Sequence, residues 1–252
     1  MPDTDIPAAL IFDVDGTLAE TEEAHRHAFN AAFAEAGLDW HWDQDRYRRL
    51  LDVTGGKERI RFHQELAGLS VLDDAAVARL HARKTALYVA HVDGGRLGLR
   101  PGIARLITQA RAADIPLAIA TTTSLANVES LLRATLGDGG PGWFAAIGAG
   151  DMVARKKPAP DIYRHVLDRL GVDPARSVAF EDSVNGLDAA RAAGLPTLVT
   201  VSRYTDDQQF TGALAVLDHL GEPDQPCRAL AGRAPAGGVV NLPALRDWLR
   251  AD

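Results

Sequence analysis

The stretch AALIFDVDGTLAE, residues 8–20, decides how the rest of the chain is read. An apolar run ends abruptly at Asp13 and Asp15, one residue apart, and Gly16 and Thr17 follow as a turn. A short, continuous apolar run closed by a turn signal fits a strand buried on both faces. Packing gives no reason to place two carboxylates at its tip, so the pair marks a candidate metal or phosphate site.

From about residue 99 onward, short apolar runs alternate with amphipathic stretches. PLAIATT (116–122), WFAAIGAG (143–150), SVAFED (177–182) and PTLVTV (196–201) are strand candidates. Between them IARLITQARAA, LANVESLLRATL, DIYRHVLDRLG and SVNGLDAARAAG repeat apolar residues at helical spacing. With ALIF as a further strand, the expectation is an α/β fold, a parallel sheet with helices on both faces.

Residues 20–98 break that rhythm. They hold four helical segments (about 21–36, 43–51, 56–69 and 73–91) and no strand pattern, so the domain expectation is a core of 1–18 plus 99–252 interrupted by a helical insert over 19–98. The Pro/Gly/Ala-rich stretch 221–238 reads as loop, and LPALRDWL as a final short helix.

Length and composition bound the function classes. A chain of 252 residues with 46% hydrophobic residues buries a sizeable core, and a net charge of −7 argues against a general nucleic-acid binder. The single cysteine, Cys227, excludes an internal disulfide. No apolar run is long enough to span a membrane, and the acidic residues 1–5 do not resemble a secretory leader. The resulting expectation is a cytoplasmic protein, a monomer by default, with no nucleic-acid or membrane partner.

In open α/β sheets the ligand crevice lies at the carboxyl ends of the strands. There the first strand delivers Asp13 and Asp15, and the second Thr121, Thr122, Thr123 and Ser124. The loop after the third brings Lys156 and Lys157, and the fourth strand delivers Glu181 and Asp182. Carboxylates, hydroxyls and an ammonium group suit phosphoryl transfer assisted by Mg²⁺, which prefers oxygen ligands and takes one or two carboxylates. A carboxylate beside the metal can attack phosphorus.

DVDGT, TTTS, KKPAPDIY and FEDSVNGLDAARAAG, in that order, resemble the four motifs of the haloacid dehalogenase superfamily of phosphatases and mutases. The resemblance implies a Rossmann-like core with an inserted helical cap. It makes Asp13 the nucleophile and a Mg²⁺ ligand, and Asp15 the general acid and base, lending its carbonyl to the metal. Thr121 and the N–H of Thr122 would hold the transferring phosphate, and Lys157 would bridge it to the nucleophile. Asp182 would complete the metal site with Glu181 beside it, whereas Lys156 reads as solvated.

The insert resembles the cap of the β-phosphoglucomutase-like branch. LAETEE, VTGGKER, HARK and TTTSLAN resemble the matching stretches of CbbY-type phosphatases of xylulose 1,5-bisphosphate, a by-product of Rubisco in the Calvin cycle. That likeness implies a small-molecule sugar bisphosphate as substrate. It offers Glu20, Thr54, Gly55, Gly56, Lys57, Glu58, His81, Arg83, Lys84, Thr122, Thr123, Ser124 and Asn127 as its binding residues. Rival readings are a sugar-phosphate mutase on the same core and a non-catalytic sugar-phosphate binder. His25 and His27 read as ordinary histidines of the first cap helix, and Trp40, Trp42 and Tyr47 as cap core.

Overall fold

The computed structural model describes residues 6–250; residues 1–5, which bear on the leader, lie outside them. The chain runs β1 (Leu10–Phe12), α1 (Glu22–Glu35), α2 (Gln44–Leu50), α3 (Gly56–Ala67), α4 (Asp74–Asp93) and α5 (Ile103–Ala112). It continues through β2 (Leu117–Ala120), α6 (Leu125–Leu136), β3 (Ala146–Gly148), α7 (Asp161–Leu170), β4 (Val178–Glu181) and α8 (Val184–Ala192). Last come β5 (Thr197–Thr200), β6 (Ala215–Leu217), β7 (Ala229–Gly232) and α9 (Leu242–Arg250).

The strands form one sheet in the order β3-β2-β1-β4-β5-β6-β7, parallel except for the last pair. β1 is central: Leu10 sits opposite Leu117 on one side and Val178 on the other. Alternation along the strands divides the core. Leu10, Phe12, Leu117, Ile119 and Phe180 face the layer containing α5, α6 and α9. Ile11, Ala118, Ala120 and Ala179 face α7 and α8. Small residues on this second face let α7 pack close; a Cβ on Gly148 would lie 2.8 Å from Val166 Cγ2.

The five strands expected from sequence are all present, but the sheet goes on through β6 and β7. β7 lies inside the stretch expected to be loop and pairs antiparallel with β6. Its four residues are all exposed, so no burial pattern announces it; backbone pairing to the β6 edge defines the strand. Among the described residues no helix is long and apolar enough to cross a membrane.

Helices α1–α4 fall in the four segments expected of the insert. Phe29, Phe33, Trp42, Tyr47, Ile60, Val77 and Leu80 build a separate apolar cluster among them. Two strands of chain join this helical unit to the sheet, and Arg100 ties them together. Its N–H bonds the carbonyl of Leu18 at 2.8 Å. Its buried guanidinium donates to the carbonyls of Gly16, Thr200, Val201 and Asp218.

Candidate active site

The carboxyl ends of β1, β2 and β4 and the loop after β3 open into a cavity of about 420 Å³ roofed by the helical unit. Asp13, Asp15, Thr121, Thr122, Thr123, Ser124, Lys157 and Asp182 line its floor. Thr54, Gly55, Gly56, Lys57, His81 and Lys84 line its roof. Most residues singled out from sequence thus face one space.

Lys157 organises the floor. Its Nζ lies 2.7 Å from Asp13 Oδ1 and 2.6 Å from Glu181 Oε1, and all three side chains are buried. Tyr163, from α7, donates its hydroxyl to the same Glu181 oxygen. Burial pushes the Asp13 carboxyl up to about 7 against the pull of Lys157. Burial raises Asp182 well above the carboxylate range, with help from Asp13 and Glu181. Ligand oxygens of Asp13, Glu181 and Asp182 lie within 4.8 Å of one another. Three buried carboxylates against one ammonium leave an excess of negative charge that a divalent, oxygen-seeking cation would offset, so these residues fit Mg²⁺. Lys157 and Tyr163 both bond Glu181 Oε1 and Lys157 also bonds Asp13 Oδ1, while Glu181 Oε2 is buried without a hydrogen-bond partner, so all three carboxylates keep an oxygen for such an ion.

Gly16 permits this closeness. Its φ is +80° and a Cβ there would lie 2.1 Å from Asp182 Oδ2, so only glycine lets the β1 turn pass Asp182.

Asp15 has its own set of partners. Thr21 Oγ1 donates to Asp15 Oδ1 at 2.6 Å, and His25 Nε2 meets the same oxygen at 2.9 Å. Lys84 Nζ lies 2.7 Å from His25 Nδ1. Burial alone would raise Asp15, but His25, Thr21 and Lys84 together hold it below the usual carboxylate range. Burial and Lys84 lower His25, while burial brings Lys84 down to about 7. The consistent arrangement is a neutral His25 that donates from Nε2 to an ionised Asp15 and accepts at Nδ1 from Lys84. His25 also stacks on Tyr88, with ring centroids 4.0 Å apart.

His25 is therefore a site residue that the sequence reading passed over. Thr21 and His25 stand four apart at the start of α1, and that i, i+4 spacing beside a DxD turn is the signal that could have found them. Lys156, expected to be solvated, lines the cavity with a side chain only 13% exposed. Tyr204, in the loop after β5, lines it too while packing into the helical unit's apolar cluster.

Four expected binding residues stand elsewhere. Arg83 lies away from the cavity, in a chelate with Glu35 at 2.5 and 2.8 Å. It sits roughly 100° round α4 from Lys84, so the helical turn that aims His81 and Lys84 inward sends Arg83 outward. Glu20 does not line the cavity; its half-exposed carboxylate lies 3.4 Å from Arg100, and burial pushes its pKa up. Asn127 is buried behind the floor, where its Nδ2 donates to Thr123 Oγ1 at 3.0 Å. Glu58 pairs with Lys156 at 3.2 Å behind Gly55.

Residues 7–194 match the haloacid dehalogenase-like hydrolases. The plasmid-borne CbbY protein of Cupriavidus necator is 53% identical over 246 residues, covering 95% of this chain and 96% of that protein. A crystal structure of CbbY from Rhodobacter sphaeroides in complex with phosphate superposes with a TM-score of 0.81 at 52% identity, covering 85% of this chain and 95% of that one. A mutant of the same protein in complex with xylulose 1,5-bisphosphate superposes with a TM-score of 0.82 at 49% identity, covering 93% of this chain and all of that one. Family match, sequence identity and fold agree: the chain belongs to the haloacid dehalogenase-like hydrolases, among their CbbY-like phosphatases.

Proposed function

We propose that the protein is a Mg²⁺-dependent phosphatase that removes the C1 phosphate of xylulose 1,5-bisphosphate to leave xylulose 5-phosphate. The observation that carries this reading is the polarity of the cavity: a nucleophile, an acid–base carboxylate and a lysine at the floor, lysines at the opposite wall. A relative crystallised with that bisphosphate supports the choice of sugar.

In this reading Asp15, ionised before substrate binds, takes up a proton from solvent as the anionic substrate enters beside it; Asp13 then attacks phosphorus as the bond to the C1 oxygen breaks, and Asp15 passes that proton to the departing alkoxide. Water then attacks the aspartyl phosphate, Asp15 takes its proton, and inorganic phosphate leaves with Asp13 regenerated. Mg²⁺ held by Asp13, Asp182 and the Asp15 carbonyl would supply charge stabilisation at the phosphoryl oxygens. Lys157, fixed by Glu181, would hold a donor against one of those oxygens, and Thr121 and the N–H of Thr122 would hold others. Both bonds that Asp15 receives from Thr21 and His25 fall on Oδ1, which would leave Oδ2 to carry the exchangeable proton. Residues 19–98 act as a cap that excludes water while the first step proceeds.

Phosphate release with Mg²⁺ across sugar mono- and bisphosphates tests the reading. Xylulose 1,5-bisphosphate is expected to be the best substrate, with Asp13→Asn inactive. Isomerisation of a hexose phosphate without phosphate release, or full activity in Asp13→Asn, overturns it.

A further inference from the structure

Where α3 meets the loop after β3, the cavity wall contains a small ion cluster that the reaction chemistry does not use. Lys57 lies in the first turn of α3, while Lys156 lies in the loop after β3, directly before Lys157. Both ammonium groups converge on Asp151, Lys57 Nζ at 2.5 Å from Oδ2 and Lys156 Nζ at 3.0 Å from Oδ1. Lys156 also reaches Glu58 at 3.2 Å. Asp151, Lys57 and Lys156 all line the cavity.

Three features set Asp151 apart. Its side chain is 59% exposed, against 30% for Lys57 and 13% for Lys156, so the carboxylate is the member that can turn out to solvent at little cost. Hydrogen bonds from both lysines lower its pKa to about 2, so it is anionic in this pairing. The surroundings are closed to another side chain: Gly55 has φ +94°, and a Cβ there would lie 2.8 Å from the Lys156 Nζ. With Glu58 counted, two cations balance two carboxylates, and the lysines have no spare charge for an incoming anion while Asp151 stays in place.

We infer that Asp151 is a stand-in anion: it occupies Lys57 and Lys156 until a distal phosphate displaces it, making it a specificity-determining residue. The inference rests on the bisphosphate reading of the same site. A phosphate monoester carries about two negative charges and three acceptor oxygens, so it can outbid one carboxylate for two ammonium groups. A hydroxyl at the same end of the sugar cannot. Asp151 therefore raises the threshold for occupying that wall and keeps the lysines paired across the cavity mouth between turnovers.

The test is Asp151→Asn, assayed on xylulose 1,5-bisphosphate and on the matched pair fructose 1,6-bisphosphate and fructose 1-phosphate. Removing the competing charge is expected to lower KM for the bisphosphates roughly threefold to fivefold, the range an exposed ion pair supports, with kcat within about twofold. KM for fructose 1-phosphate is expected to stay the same or rise. A cluster that merely latches the two walls gives the opposite sign, KM rising for mono- and bisphosphate alike, and that result or an unchanged selectivity ratio overturns the inference. The fructose pair separates the two readings, because wild type can fail on xylulose 1,5-bisphosphate while the selectivity ratio still reports on Asp151. Calorimetric titration of both fructose phosphates into Asp13→Asn, with and without Asp151→Asn, reads the same ratio as Kd without turnover.

Discussion

Replacing His25 by alanine tests the idea that Asp15 works only because its neighbours hold it. The ring supplies a 2.9 Å contact to Asp15 Oδ1 and receives Lys84 at 2.7 Å, at a position 3% exposed. A hydrogen bond to a charged group contributes about 1.5 to 3 kcal/mol, which corresponds to roughly 10- to 150-fold in rate if the bond matters fully in the transition state. Loss of the Tyr88 stack and of the Lys84 partner should also cost about 2 to 3 kcal/mol of stability, lowering the unfolding midpoint by roughly 4 to 12 °C. The informative assay compares first-turnover phosphoryl transfer from the sugar bisphosphate with that from p-nitrophenyl phosphate. The sugar alkoxide needs a proton as it leaves and nitrophenolate does not, so His25→Ala should slow the first far more than the second. His25→Gln, which can still donate to Asp15, should recover part of the sugar activity. Equal losses on both substrates, or a fall in melting temperature with sugar turnover intact, would refute a positioning role.

Tyr204 is buried against Tyr47 at 5.6 Å with its hydroxyl on Glu23, although it belongs to the loop after β5. Tyr204→Ala should therefore loosen the cap and raise KM for the sugar bisphosphate several-fold, and unaltered kinetics and small-angle scattering would dismiss it as a docking residue. Acid sensitivity should arise in the cap, where burial and then Lys84, Lys57 and Lys156 lower His81 to about 3 from 6.5. Below pH 6.5 the unfolded chain takes up a proton at His81 that the folded chain refuses, so stability falls as pH drops. At pH 5 the cost is on the order of 1 to 2 kcal/mol after allowance for partial exposure, and denaturant titrations at pH 7 and 5 should show it shrink in His81→Gln.

Much of this site was legible in the chain because local order and topology carry it. A strand's alternation puts Asp13 at the tip of β1, and parallel pairing of β2 and β4 beside it brings Thr121 and Asp182 to the same edge. Burial by contrast depends on partners distant in sequence. Lys156 carries the same formal charge as any surface lysine, and only the meeting of the β3 loop with α3 encloses it. Arg83 and Lys84 are adjacent, yet one helical step sends one to Glu35 and the other to His25.

By itself, then, the sequence determined the α/β core, the helical insert and the floor of the cavity, since hydrophobic period and strand-end position are local properties. Which roof residues face that floor, which acid Lys157 serves, and how Lys84 and Asp151 enter the site were decided by tertiary structure. Charge pairing, helix rotation and desolvation are set by groups separated by tens to more than a hundred residues, such as Lys157 and Asp13, 144 apart. No spacing within the chain encodes those distances.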